Sequence, residues 1–95
     1  MSTATARPRF TDKQGQYLAF IHTYTVLNRR PPAEADIREF FQVTPPTVHQ
    51  MVIALEQLGL IRRTPRQARS IEVLIPPEAV PTLRAQPIKT SVVRY

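Results

Sequence analysis

The amino-acid sequence predicts an α+β fold of the winged helix-turn-helix class, in which three helices are followed by a C-terminal β-hairpin, the wing. Three observations support this prediction. Apolar residues recur at helical spacing in three segments, a very short turn separates the second segment from the third, and two β-branched stretches follow. The chain has 95 residues, 42% of them hydrophobic, which is enough for one modest core.

The first helix is expected at about residues 12–28. Thr11 and Gln14 have the spacing of a capping box, and Asp12 in the first turn suits the helix dipole. The predicted buried stripe consists of Tyr17, Phe20, Ile21, Tyr24 and Leu27, with Leu18 on its flank. Pro31 and Pro32 then prevent the helix from continuing, and this extended segment is a candidate edge strand for the later hairpin.

The second helix is expected at about residues 33–41, with a stripe formed by Ala33, Ile37, Phe40 and Phe41. Three acids, Glu34, Asp36 and Glu39, lie off this stripe. Their charge would repel the phosphates of a nucleic acid. Two arrangements therefore remain open: the acids face away from a bound nucleic acid, or they pair with Arg29, Arg30 and Arg38.

The third helix, at residues 44–58, has a clear start and end. Thr44 is the predicted cap, Pro45 falls at the first helical position, and Gly59 suits the turn after the helix. The predicted buried stripe is Val48, Met51, Val52, Leu55 and Leu58. The outer face contains no acid and consists of Pro46, His49, Gln50, Ile53 and Gln57. We interpret it as the face that enters a DNA major groove.

The wing is predicted from strands at residues 60–63 and 71–75 and the loop between them. Arg62, Arg63, Arg66 and Arg69 fall within eight residues there, and the loop contains no acid. A concentrated positive charge beside a recognition helix favours contact with DNA phosphates. The alternative is an ordinary solvated hairpin.

Composition supports a polyanionic partner. The net charge is +6, the isoelectric point is about 10.8, and eleven of the thirteen basic residues are arginine. The chain has no cysteine, no signal peptide and no apolar run long enough to span a membrane. We therefore expect a cytoplasmic, nucleoid-associated protein without a metal, a cofactor or a membrane partner. The sequence contains neither paired carboxylates in a plausible pocket nor a glycine-rich phosphate loop. We therefore expect a protein that is not an enzyme and predict no catalytic residue.

Three regions are expected: a flexible basic arm at residues 1–9, the winged domain at residues 10–75, and a proline-rich tail at residues 76–95. Composition favours a disordered tail. The alternatives are that Ile88, Val92, Val93 and Tyr95 form a short strand or pack onto the surface, or that the tail is ordered against another element such as a second subunit.

Several runs resemble the amino-terminal DNA-binding domain of the LexA repressor family. They are Phe10-Thr11-Asp12-Lys13-Gln14, Leu18-Ala19-Phe20-Ile21, Pro31-Pro32, Ile37, Pro45 to Val48, Ala54-Leu55-Glu56, Gly59-Leu60-Ile61-Arg62-Arg63 and Arg69-Ser70-Ile71-Glu72-Val73. The resemblance implies a domain that binds operator half-sites of double-stranded DNA as a homodimer. By position, the base-reading residues would be Thr44, Pro46, Thr47, His49, Gln50 and Ile53. The wing contacts to the DNA backbone would come from Arg62, Arg63, Arg66, Gln67 and Arg69.

The sequence departs from the family pattern in three ways. The turn at Gln42-Val43-Thr44 is one residue shorter than in many members and lacks the usual glycine. Either Gln42 adopts a left-handed conformation at a cost of about 1–2 kcal/mol, or the turn differs. The outward residues of the third helix are not the acidic pair of some members, so the operator sequence does not transfer. The family's self-cleavage domain has no counterpart here, and self-cleavage is not expected. Dimerisation would then depend on the tail, the first helix or a partner protein.

These observations favour a sequence-specific DNA-binding repressor. The alternative is a winged-helix interaction module or an architectural subunit of a nucleoprotein complex, in which Ile53 and the acidic second helix face a protein partner.

Overall fold

The computed structural model describes residues 9–86, and its elements confirm the predicted α+β winged helix-turn-helix architecture. The elements, in chain order, are α1 (Asp12–Asn28), α2 (Glu34–Phe41), α3 (Pro45–Gln57), β1 (Ile61–Arg62), β2 (Glu72–Val73) and a 3₁₀ turn (Pro77–Ala79). Most of the basic arm, and residues 87–95 of the tail with the apolar positions named above, lie outside the described residues.

The capping box predicted at the start of α1 is confirmed. The backbone N–H of Thr11 donates to the Gln14 side chain at 2.9 Å, and the backbone N–H of Gln14 donates to the Thr11 hydroxyl at 3.1 Å. The buried side of α1 is wider than one stripe, because Leu18 is fully buried rather than on the flank. Leu27 was wrongly predicted as core: it is 75% exposed in the last helical turn, beyond the packed part of α1.

Aromatic side chains fill the space between α1 and α2. The rings of Tyr17 and Phe41 are stacked with centroids 4.2 Å apart, and the rings of Phe20 and Phe40 lie 4.7 Å apart. Helix α2 begins one residue later than predicted, because Ala33 is its cap and lies in extended backbone. The carboxylate of Asp36 accepts a hydrogen bond from the Ala33 backbone N–H at 2.8 Å and so satisfies a free donor of the first turn.

Of the two alternatives for the turn between α2 and α3, the structure has the left-handed Gln42. Gln42 has φ 57° and ψ 53°, and its side chain donates to the Glu39 carbonyl at 2.8 Å. A non-glycine residue in this conformation costs about 1–2 kcal/mol. Val43 is partly buried between the helices, so the core supports the strained turn.

Helix α3 is capped as predicted and packs through Val48, Val52 and Leu55, which are all buried. Leu58 does not belong to this stripe: it is 54% exposed, which corrects the prediction. The reason is that the helix ends at Gln57 and Leu58 is its C-cap residue, followed by the turn at Gly59 with φ 76°, so Leu58 no longer lies on the buried side of α3.

The hairpin is antiparallel, with Ile61 opposite Val73 and Arg62 opposite Glu72. Its strands have two residues each, so the predicted strands were too long. Side-chain bonds close the base of the loop instead, since the Thr64 backbone N–H donates to the Ser70 hydroxyl at 2.8 Å and that hydroxyl bonds back to the Thr64 carbonyl at 3.1 Å.

The extended segment at Pro31 and Pro32 does not join the hairpin: the sheet within residues 9–86 has two strands. The prediction of an edge strand there was wrong, because prolines have no N–H to donate to a ladder. The Pro31 carbonyl instead accepts a hydrogen bond from the Arg69 guanidinium at 3.2 Å.

Residues 76–86, which we call the strap, pack against α1 of the same chain. The carboxamide of Gln16, which is 2% exposed, donates to the Thr82 carbonyl at 3.0 Å and accepts from the Arg84 backbone N–H at 2.8 Å. Leu83 packs against the core. Sequence patterns did not predict this arrangement, since the composition favoured a disordered tail.

Two further contacts place the strap beside the first turns of α1. The Arg84 guanidinium bonds both carboxylate oxygens of Asp12, at 2.6 and 3.2 Å. A Cβ added at Gly15 would lie 2.9 Å from atoms of both Phe10 and Pro81. Glycine at this position therefore allows the strap and the start of the domain to meet over α1.

Candidate nucleic-acid interface

The outer face of α3 is formed by Pro46, Gln50, Ile53 and Gln57, opposite the buried residues of the same helix. Pro46, Gln50 and Gln57 are exposed, and Ile53 is partly exposed. None of the four side chains is charged. Such a face can form hydrogen bonds and apolar contacts with base edges. Gln57 belongs to this face, although it was not among the predicted base-reading residues.

The start of α3 lies at the exposed end of this face. The Thr44 hydroxyl accepts from the Thr47 backbone N–H at 3.4 Å, and the two hydroxyl oxygens are 2.8 Å apart. Both threonines are exposed. Their hydroxyl and methyl groups are thus held at the end of a helix whose free N–H groups attract negative charge.

His49 lies at the edge of the face and not at its centre. Its Nδ1 is 3.4 Å from a carboxylate oxygen of Glu34 on α2, and the two side chains are 53% and 36% exposed. His49 is therefore a predicted base-reading residue that also contacts α2.

Three of the predicted wing arginines form ion pairs within the domain. Arg62 pairs with Glu72 across the hairpin, Arg63 with Glu56 at 3.0 Å, and Arg69 with Asp36 at 2.9 Å. Arg63 also lies 3.7 Å from Glu34. Glu34 and Asp36 of α2 thus pair with wing arginines. Within residues 9–86 no acid of α2 forms an ion pair with Arg29, Arg30 or Arg38, which corrects the second of the two arrangements left open by the sequence.

Arg69 connects the hairpin to the helices. Its Nη1 donates to the Tyr24 hydroxyl at 3.1 Å, the Pro31 carbonyl at 3.2 Å and the Asp36 carboxylate at 2.9 Å. The hydrogen bond to Tyr24, together with the charge of Asp36, raises the pKa of the Arg69 guanidinium above its ordinary value. This side chain is directed at its own domain and orients the wing.

The tip of the wing has a different character. Thr64 and Gln67 close a turn, with the Gln67 N–H 3.2 Å from the Thr64 carbonyl, and Arg66 lies in the left-handed region at φ 67°. Arg66 and Gln67 are exposed, and within residues 9–86 neither side chain forms an ion pair or hydrogen bond. The tip therefore presents one cation and one amide to the surroundings.

Arg38 is a further basic residue that the sequence analysis did not assign to the interface. It is exposed on α2 and borders the same shallow groove as Pro45 and Val48 at the start of α3. In the sequence, only its position off the apolar stripe of α2 indicated that Arg38 would be exposed.

Within the described part of the chain, no group of three or more histidine, cysteine or acidic side chains could hold a metal ion. No helix there has the length and apolar character needed to cross a membrane.

Comparison with known proteins gives a consistent result. The family model of the LexA DNA binding domain matches residues 8–70. The LexA repressor of Thermosipho melanesiensis is 39% identical over 72 residues, which are 76% of this chain and 36% of that protein. The LexA repressor of Thermosipho africanus is 40% identical over 70 residues, which are 74% of this chain and 35% of that protein.

The chain thus spans about a third of the length of these relatives, and the strap lies beyond the family match. The match covers all three helices and the loop of the wing, and it confirms the resemblance seen in the sequence. Because it includes more than half of the residues, the chain belongs to the LexA DNA-binding domain family.

Proposed function

We propose that this protein binds double-stranded DNA sequence-specifically and acts as a transcriptional repressor, with α3 in the major groove. The observation that most strongly supports the proposal is the outer face of α3, which is exposed, uncharged and able to hydrogen-bond to bases. The wing tip presents Arg66, a cation without an intramolecular partner in the described residues. The names of the relatives agree with this assignment.

Each part of the interface has a separate role in this proposal. Gln50 bonds an adenine edge, and the methyl groups of Thr47 and Ile53 meet a thymine methyl. Arg66 and Gln67 contact the DNA backbone, where they add affinity without sequence information. Arg62 and Arg63 would add further contacts to the DNA backbone. Arg69 would not contact DNA but would hold the wing in position, because its guanidinium bonds Tyr24 on α1 and Asp36 on α2.

The proposed role is binding and not catalysis. A single winged domain with a few phosphate contacts binds weakly at physiological salt, so we infer that two copies occupy the half-sites of an inverted repeat. Such a protein would act in the cytoplasm, at the nucleoid.

Selection from random duplexes tests the proposal. The purified chain, Gln50→Ala and Arg66→Ala are compared over a range of salt concentrations. We expect the wild type to enrich an inverted repeat and Gln50→Ala to change the enriched bases. Arg66→Ala should weaken binding to every sequence and reduce the log–log salt slope by about 0.9. Lys13→Ala is the charge-matched control, since Lys13 is exposed on α1.

Equal losses on every sequence from Gln50→Ala and Arg66→Ala would contradict the division into base and backbone contacts. Salt-sensitive binding without any enriched motif would contradict sequence-specific repression and favour an architectural role.

A further inference from the structure

The contact between α3 and α2 places a carboxylate against one edge of a predicted base-reading side chain. Glu34 Oε2 lies 3.4 Å from His49 Nδ1 and 3.7 Å from Arg63 Nη1. Arg63 in turn bonds Glu56 through its Nε at 3.0 Å. Glu34 therefore contacts both α3 and Arg63, the residue after β1, and its position relative to the imidazole does not depend on α2 alone.

A carboxylate can only accept hydrogen bonds, so the Nδ1 atom that faces Glu34 must bear the proton. In the neutral ring the other nitrogen, Nε2, then has a free lone pair and is an acceptor. In the protonated ring Nε2 also bears a proton and becomes a donor. The His49 side chain is half exposed at the edge of the α3 face, so a base can approach the part of the ring that does not face Glu34.

We propose that Glu34 is a positioning residue that selects the Nδ1–H tautomer of His49, and that His49 consequently recognises different bases at high and low pH. This inference rests on the proposed function. Neutral His49 would accept from the amino group of adenine or cytosine, whereas protonated His49 would donate to the O6 or N7 atom of guanine.

The charged side chains around His49 belong to one network: Glu34 on α2 contacts the imidazole, Arg63, the residue after β1, contacts Glu34, and Glu56, two turns further along α3, pairs with Arg63. Between pH 5.5 and 8.5 imidazole is the side-chain type that ordinarily changes charge, whereas carboxylates and guanidinium groups do not. A change of base preference in this interval therefore reports on the histidine. His22, the second histidine of the chain, lies on α1 and lines a groove with Arg29 and Arg30, away from α3.

The first test uses imidazole ¹⁵N chemical shifts of the full chain at pH 8.5, without DNA. We expect the Nδ1–H tautomer of His49 in the wild type and a shift towards the Nε2–H tautomer in Glu34→Ala. Glu34→Gln should retain the wild-type tautomer, because the amide oxygen still accepts. Glu39→Ala, an exposed acid on the same helix, is the matched control. An Nε2–H tautomer in the wild type, or no change in Glu34→Ala, would overturn the role of Glu34.

The second test repeats the random-duplex selection at pH 5.5 and 8.5 at constant salt. At one position of the motif, the ratio of guanine to adenine or cytosine should be about three- to tenfold higher at pH 5.5, the range expected for one hydrogen bond. His49→Gln should abolish this change, and His22→Gln should preserve it.

A motif that is identical at both pH values would overturn this inference and leave the proposed function intact. The absence of any motif at both pH values would overturn both. The tautomer measurement does not involve DNA and separates the two failures.

Discussion

The side-chain amide of Gln16 bonds the strap as a neighbouring strand would, accepting from the Arg84 N–H at 2.8 Å and donating to the Thr82 carbonyl at 3.0 Å. Gln16 is 2% exposed, so these two bonds replace the water that its carboxamide would otherwise require. One buried polar residue on α1 thus helps to position the chain after the hairpin, together with the Asp12–Arg84 pair and the packing of Leu83.

Gln16→Ala should lower the free energy of unfolding by about 1–3 kcal/mol, because it removes two buried hydrogen bonds and leaves the groups on the strap without partners. Chemical denaturation would measure the loss, and amide exchange at Arg84 would show the release of the strap. Gln57→Ala is the control, since Gln57 is exposed on α3. Unchanged exchange at Arg84 would refute the role of Gln16.

The Asp12–Arg84 pair should make the docking of the strap sensitive to acid. The hydrogen bond from Arg84, with help from its charge, lowers the pKa of the Asp12 carboxyl below its ordinary value. A carboxyl whose pKa is lowered by folding contributes stability above its unfolded pKa, and that contribution is lost as the pH falls through the folded value. We therefore expect loosening of the strap below about pH 4.

A ¹³C carboxyl titration tests this coupling directly. Arg84→Gln should raise the pKa of Asp12 towards the ordinary value, while Asp12 keeps its place in the first turn of α1. Equal titration of Asp12 in the wild type and Arg84→Gln would show that the ion pair has no effect in solution.

Arg66→Gly should have opposite effects on stability and on DNA binding. Arg66 has φ 67°, a conformation that glycine adopts without steric cost, so the free energy of unfolding should rise by up to about 1 kcal/mol. Affinity for all duplexes should fall, and the salt slope should decrease by about 0.9. Denaturation and salt-dependent binding would measure the two effects. A stabilised variant with unchanged binding would exclude Arg66 as a phosphate contact.

Arg69→Ala should weaken DNA binding without reducing the salt slope. The guanidinium contacts Tyr24, Pro31 and Asp36, so its loss should disorder the hairpin and not remove a phosphate contact. Amide exchange at residues 61–73 should become faster than in Arg66→Ala. A decrease of about 0.9 in the slope, as for Arg66→Ala, would instead identify Arg69 as a phosphate contact.

Features that depend on neighbours in the sequence were predictable. The capping box of Thr11 and Gln14 and the start of α3 at Pro45 follow from local chemistry, and the structure confirms both of them. For Gln42, the comparison with the family left a left-handed residue and a different turn open, and the structure has the left-handed residue. Leu27 and Leu58 were misplaced because helical periodicity continues to the end of a helix, whether or not a packing partner extends that far. The lengths of the strands also depended on side-chain bonds, such as that between Thr64 and Ser70, which strand propensity does not report.

By itself the sequence determined the three helices, the hairpin, the family and the uncharged outer face of α3, since these follow from spacing, capping and residue type. Only the tertiary structure decided how the charges are used. It directs Arg69 at Asp36, Glu34 at His49 and the strap at Gln16, over sequence separations of 33, 15 and up to 68 residues. The physical reason is that an ion pair or a buried hydrogen bond requires two groups at a definite distance, and that distance exists only after the core has packed.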